Sequence, residues 1–123
     1  MNSAGKKTLV LGAVPDPGRY AYKAVSLLKK KGHMPVPVGI RKGEIEGLPI
    51  IAPENFRGKI DTVTLYISPK HQDQYVDFIL SAGPKRVIFN PGTENEKLKR
   101  ILERNGIETV ENCTLVMLRT GLF

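Results

Sequence analysis

The residues with the clearest chemical content lie between Leu9 and Tyr20, in the stretch LVLGAVPDPGRY. Leu9, Val10 and Leu11 form an apolar run long enough for a strand buried on both faces, and Gly12 breaks it. Asp16-Pro17 then reads as a helix start, because Asp caps well and Pro at the first helical position loses no bonded N–H. Such a helix leaves the donors of Gly18, Arg19 and Tyr20 pointing out of its positive end, where an anion can sit. The spacing Gly12-x5-Gly18 is neither a phosphate loop ending in Gly-Lys-Ser/Thr nor a GxGxxG fingerprint. Pro15 and Pro17 lack donors and Asp16 repels phosphate, so Arg19 must supply much of the positive charge.

A second chemical signal is the glycine-flanked loop Gly39-Ile40-Arg41-Lys42-Gly43. An NAD-binding unit carries an acid at the end of its second strand, roughly 20 residues past the glycine loop, to hold the ribose hydroxyls. Here two cations stand in that place, which suits a ribose bearing an extra phosphate. NADP has one on the 2′ oxygen and coenzyme A has one on the 3′ oxygen. Catalytic groups are sparse. His33 sits beside a helix stop, at the rim opposite the ligand, and reads as a surface residue. His71 lies nearer the predicted cleft but reads as a polar helix start, and Cys113 as a small packing residue. Two His and one Cys, far apart, do not make a metal site.

The elements that must position these loops follow from periodicity. Ala21, Ala24, Val25 and Leu28 recur at helical spacing, and Lys29-Lys30-Lys31-Gly32 closes that helix with cations and a left-handed stop. Met34 to Val38 is a period-two strand whose Pro35 and Pro37 both lose donors on the same side, so its outer neighbour, Pro49-Ile50-Ile51, is expected to be short or poorly paired. Ile60 to Ile67 is a β-branched and aromatic strand ending at Ser68-Pro69. His71 to Leu80 reads as a helix, Arg86 to Phe89 as a strand broken by Asn90-Pro91-Gly92. Thr93 and Glu96 read as a capping box for the next helix, closed by Asn105-Gly106. Ile107 to Val110 is a last strand and Cys113 to Leu118 a last helix. This alternation predicts an α/β, Rossmann-like open and mostly parallel sheet of order 3-2-1-4-5, with helices on both faces. Ligands then lie at the carboxyl ends of the strands, between the first and fourth.

Composition narrows the rest. At 123 residues the chain is one domain with an ordinary share of apolar and charged residues. No run reaches the ~18 apolar residues of a membrane span, and the polar start, Met1 to Lys7, does not read as a signal peptide. With its single Cys, the chain is expected in the cytoplasm. The net charge of +7 favours an anionic partner. The cations are dispersed, without an arginine-rich arm or an aromatic pair for bases, so a phosphorylated small molecule fits better than nucleic acid.

The order VLGAVPDPGRYAY (10–22), GHMPVPV (32–38), IEGLP (45–49), Asp61, Asn90-Pro91-Gly92 and Asn112-Cys113 resembles the family of small CoA-binding domains, similar to the N-terminal domain of the succinyl-CoA synthetase α subunit. The resemblance runs from about Lys7 to Leu118. It implies that the first loop, with Gly12, Ala13, Val14, Pro17, Gly18, Arg19 and Tyr20, holds the CoA phosphates. A second segment, from Val38 through Arg41 and Lys42, would meet the nucleotide end. Ile67, Ser68 and Pro69 would lie along the adenine, and Asn90, Pro91 and Gly92 would follow the ligand toward its thiol arm. The synthetase's phosphorylated histidine belongs to a second domain that has no counterpart here. The resemblance therefore implies a non-catalytic module for CoA or acyl-CoA, a sensor or carrier, with no metal. The alternatives are an NADP-binding oxidoreductase-type domain and a protein-interaction domain with a vestigial cleft. Val-rich strands and a short last helix leave a homodimer or a protein partner open.

Overall fold

Five short runs of branched and aliphatic residues pair in parallel: β1 (Lys7–Leu11), β2 (Met34–Val38), β5 (Thr62–Leu65), β6 (Arg86–Phe89) and β7 (Glu108–Glu111). Their order across the sheet is β2-β1-β5-β6-β7. The computed structural model describes residues 5–123; residues 1–4, part of the polar start Met1 to Lys7, lie outside the described residues. β5 is central, and β1 lies between β2 and β5, with Leu9 level with Val36 on one side and Val63 on the other. Strand residues alternate between two cores. Leu9, Leu11, Val63, Leu65, Val87 and Phe89 pack toward α2 (Val76–Ala82) and α3 (Glu96–Arg104). Val10 packs the other way, against α1 (Tyr20–Lys30) and α4 (Thr114–Thr120). Helices thus cover both faces of a Rossmann-like sheet.

The order departs from 3-2-1-4-5 at both edges: β7 adds a strand beyond the expected fifth, and at the other edge the expected third is almost lost. The expected third strand contributes a single parallel bridge, Val38 to Ile51, held by Ile51 N–H donating to the Pro37 carbonyl and Gly39 N–H to the Ile51 carbonyl. Pro35 and Pro37 turn their donorless nitrogens toward this edge, since Met34 N–H donates inward to Lys6. A ladder cannot extend there. The intervening chain instead folds as a two-stranded antiparallel hairpin, β3 (Glu44–Ile45) with β4 (Leu48–Pro49), turning through Glu46 and Gly47 at positive φ.

Helix starts lie later than propensity suggests. Asp16 does not cap α1. Its carboxylate accepts from Gly18 N–H at 3.0 Å and its carbonyl from Arg19 N–H at 3.0 Å, closing a tight turn before the helix begins at Tyr20. His71 opens no helix either: two 3₁₀ turns, Pro69–His71 and Asp73–Tyr75, precede α2. Asn95, not Thr93, caps α3, accepting from Leu98 N–H at 3.1 Å. Thr93 is buried, and its hydroxyl donates to the Asn90 carbonyl.

Candidate ligand cleft

Parallel pairing brings the carboxyl ends of β1, β2, β5 and β6 to one rim. From β1 the chain climbs into α1 on one face; from the neighbouring β5 it enters the turns leading to α2 on the other. Adjacent strands whose exits diverge leave a crevice between them. Its floor is folded tightly. Gly12 and Ala13 both donate their N–H groups to the Val38 carbonyl, at 2.9 and 3.0 Å, which ties the first loop to the second. A side chain at Gly39 would collide with the Ala13 carbonyl, and Gly12, at φ +103°, stands against the Tyr66 carbonyl.

Three contiguous hollows follow this rim. The first, about 270 Å³, lies between Gly12–Val14, Gly39-Ile40, Ile67 and the His71, Gln74 and Tyr75 side chains. The second, about 240 Å³, shares Gly12 and Val14 with the first and adds Arg19, Tyr20, Ser68 and Pro91–Thr93. The third, about 210 Å³, shares Tyr20, Tyr66 and Pro91 with the second and ends at Asn90, Cys113 and Leu115. A larger open hollow of about 690 Å³ lies outside this line, between α1, α4 and Glu46.

The middle hollow has the electrostatics of an anion site. α1 opens onto it through Tyr20 and Ala21, carries no side-chain cap and has no acid in its first turn. The N–H groups of a first helical turn have no partner within the helix, and Arg19 adds a full charge beside them. This anion-facing end begins at Tyr20, because Gly18 and Arg19 have their N–H groups engaged by Asp16. On the far bank the Glu94 carboxylate accepts from Gly92 N–H at 2.8 Å, an acid held at a place where a phosphate could bind. Glu94→Gln is expected to tighten binding of an anionic ligand by about twofold to fivefold, the worth of one exposed charge. A calorimetric titration of both proteins at low salt checks it, and an unchanged or weaker affinity contradicts it.

The loops on either bank are fixed from beneath. Asn90, 2% exposed, donates to the Thr64 hydroxyl (2.7 Å) and the Leu65 carbonyl (2.9 Å), and accepts from Thr114 N–H (2.9 Å). It holds β5, β6 and α4 together rather than offering its amide to the cleft. Gln72, also buried, donates to the carbonyls of Ile67 and Thr93, both at 2.8 Å, and accepts from Asn95. This joins the loop after β5 to the loop after β6. Tyr66 lines two of the three hollows. Its hydroxyl is buried without a hydrogen-bond partner, and burial pushes its pKa up to about 12, so it stays protonated.

The site residues expected from sequence therefore divide. Gly12, Ala13, Val14, Arg19, Tyr20, Ile67, Ser68, Asn90, Pro91 and Gly92 line the hollows. Val38 acts beneath through its carbonyl. Pro17 faces the larger outer hollow, and Gly18 and Pro69 are exposed beside the loops. Arg41 and Lys42 are exposed on the loop that carries Ile40, outside the linings of the three hollows. Tyr66, Gln72, Tyr75 and Leu115 escaped sequence reading. Tyr66 carried a usable signal, since it directly follows β5, the central strand that points at the rim. His33 is no free surface group: its Nδ1 accepts from Lys6 N–H at 3.0 Å, its ring packs edge-on to Phe123, and burial lowers its pKa.

Residues 6–119 match the sequence of the CoA binding domain family. The chain belongs to that family. Among solved structures, one described only as an uncharacterized protein is 56% identical, with a TM-score of 0.94 over 98% of this chain and 100% of the other. A hypothetical protein from Pyrococcus horikoshii OT3 is 27% identical, with a TM-score of 0.85 over 96% and 84%. A protein from Thermus thermophilus, at 24% identity and a TM-score of 0.86 over 97% and 91%, shares the fold. No curated protein is similar enough to match. Membership of the CoA binding domain family agrees with the charge and position of the middle hollow. Among the described residues there is no helix long and apolar enough to cross a membrane, and no group of three or more His, Cys, Asp or Glu that could hold a metal ion.

Proposed function

We propose that this CoA binding domain holds coenzyme A, free or acylated, along the three hollows and acts as a non-catalytic sensor or carrier. The observation that carries the reading is the continuity of the hollows, with an uncapped helix start and Arg19 in the middle one. The family match supports CoA as the ligand. The diphosphate belongs at Arg19 and the first turn of α1. The adenine belongs in the first hollow, beside Ile67 and Tyr75, and the thiol arm runs past Pro91 and Gly92. Arg41 and Lys42, exposed next to Ile40, meet the ribose phosphate from outside the hollow.

Melting the protein with CoA, dephospho-CoA, NADP and NAD tests the proposal. A ligand at ~100 times its Kd adds about 2.7 kcal/mol of stability. CoA is expected to raise the melting temperature most, and dephospho-CoA less, because Arg41 and Lys42 lose their phosphate. Equal responses to these two would remove Arg41 and Lys42 from the site. A response to NADP alone would replace CoA by a nicotinamide nucleotide. No response to any of the four would overturn the reading.

A further inference from the structure

The third hollow differs from the other two. It is walled by the Tyr20 and Tyr66 side chains, Pro91, Cys113 and Leu115, and cations take no part in its lining. Leu115 is 4% exposed and is the one lining residue shared with the outer hollow on the α1–α4 face, so it forms a partition between the two. At about 210 Å³ the space falls below the ~300 Å³ at which pockets begin to hold a whole drug-sized ligand. It suits a fragment of a few heavy atoms with an apolar surface. Asn90 is already bonded to Thr64, Leu65 and Thr114, and Thr64 and Thr114 share a hydrogen bond of 2.7 Å, which leaves the Tyr66 hydroxyl as the polar group of the lining that is buried without a partner.

We propose that this end of the cleft is an acyl pocket, selecting CoA thioesters of short, uncharged acyl groups over free CoA and over long-chain acyl-CoA. The inference rests on reading the cleft as a CoA site. The thioester sulfur lies near Pro91, and the acyl carbons lie between the two tyrosine rings and Leu115. Each methylene taken out of water there strengthens binding about fourfold. The gain ends when the chain meets the Leu115 partition. Carboxylated acyl groups lose affinity, because no cation in the lining pairs with a buried carboxylate.

Calorimetric titration with CoA, acetyl-CoA, butyryl-CoA, succinyl-CoA and palmitoyl-CoA tests this. The expected result is a rise of about fourfold per added methylene from acetyl-CoA to butyryl-CoA, with CoA, succinyl-CoA and palmitoyl-CoA all weaker than butyryl-CoA. In Cys113→Phe, where the added ring occupies the hollow, the rise with chain length is expected to vanish. The series on the unaltered protein stands by itself if that variant does not fold. Binding of CoA with equal or lower affinity for butyryl-CoA overturns the acyl pocket and leaves the CoA site intact. Tightest binding of palmitoyl-CoA shows that the partition opens, and tightest binding of succinyl-CoA shows a charged pocket; either overturns it. If no CoA species binds, the CoA reading fails, and the acyl pocket with it.

Discussion

Arg19→Glu is expected to weaken CoA binding by roughly a hundredfold or more while leaving the protein folded. A hydrogen bond between charged groups is among the strongest single contacts a ligand makes, and reversal replaces it with repulsion of the diphosphate. Arg19 is the cation in the lining of the middle hollow, so no neighbour there takes over its charge. Its side chain is exposed, and it stands at the N-cap of α1, where a negative charge favours the helix dipole. The variant should therefore melt no lower than the unaltered protein. Titration calorimetry with CoA alongside a melting curve reads both effects. Retained affinity in a folded variant would move the phosphates away from the start of α1.

The largest loss of stability is expected at Asn90. Asn90→Leu keeps the number and branching of the side-chain heavy atoms but removes three hydrogen bonds from a buried position, stranding Thr114 N–H and leaving the Leu65 carbonyl without that donor. Buried polar groups without partners cost about 1–3 kcal/mol each, so the variant should lose roughly 3–5 kcal/mol. For a domain of this size that lowers the melting temperature by about 15 °C. The loss comes from releasing α4 from the ends of β5 and β6, which also form the third hollow. A fall of less than a few degrees would show that Asn90 offers its amide to the ligand rather than to the fold.

Much of this architecture was legible in the chain. Three signals are local and strong: the apolar run before Gly12, the helical spacing of Ala21, Ala24, Val25 and Leu28, and the β-branched run that forms β5, although that strand covers only Thr62–Leu65 of the expected Ile60 to Ile67. Even the weak edge could be read from Pro35 and Pro37, because their missing donors prevent a ladder whatever sequence follows. Helix starts were less legible, since Asp, Thr and Asn serve equally as caps or as turn residues. Asp16 closes a turn, Thr93 bonds back to Asn90, and Asn95 makes the cap; tertiary packing chooses among them. The site was legible as loops but not as contacts. Gln72 reads as an ordinary polar residue, yet it is 1% exposed and joins two loops 21 residues apart. Arg41 and Lys42 marked the right loop, but the residues that face the hollow there are Gly39 and Ile40.

The backbone amide map of the ¹⁵N-labelled protein, followed during titration with CoA, asks where the ligand sits. Shifts are expected at Gly12, Val14, Tyr20, Tyr66 and Gly92, along the carboxyl rim from β1 to β6, with Lys6 and His33 at the opposite rim unmoved. Shifts centred on Lys23, Lys30 and Arg119, around the outer hollow between α1 and α4, with Gly12 and Gly92 still, would contradict a ligand lying across the strand ends.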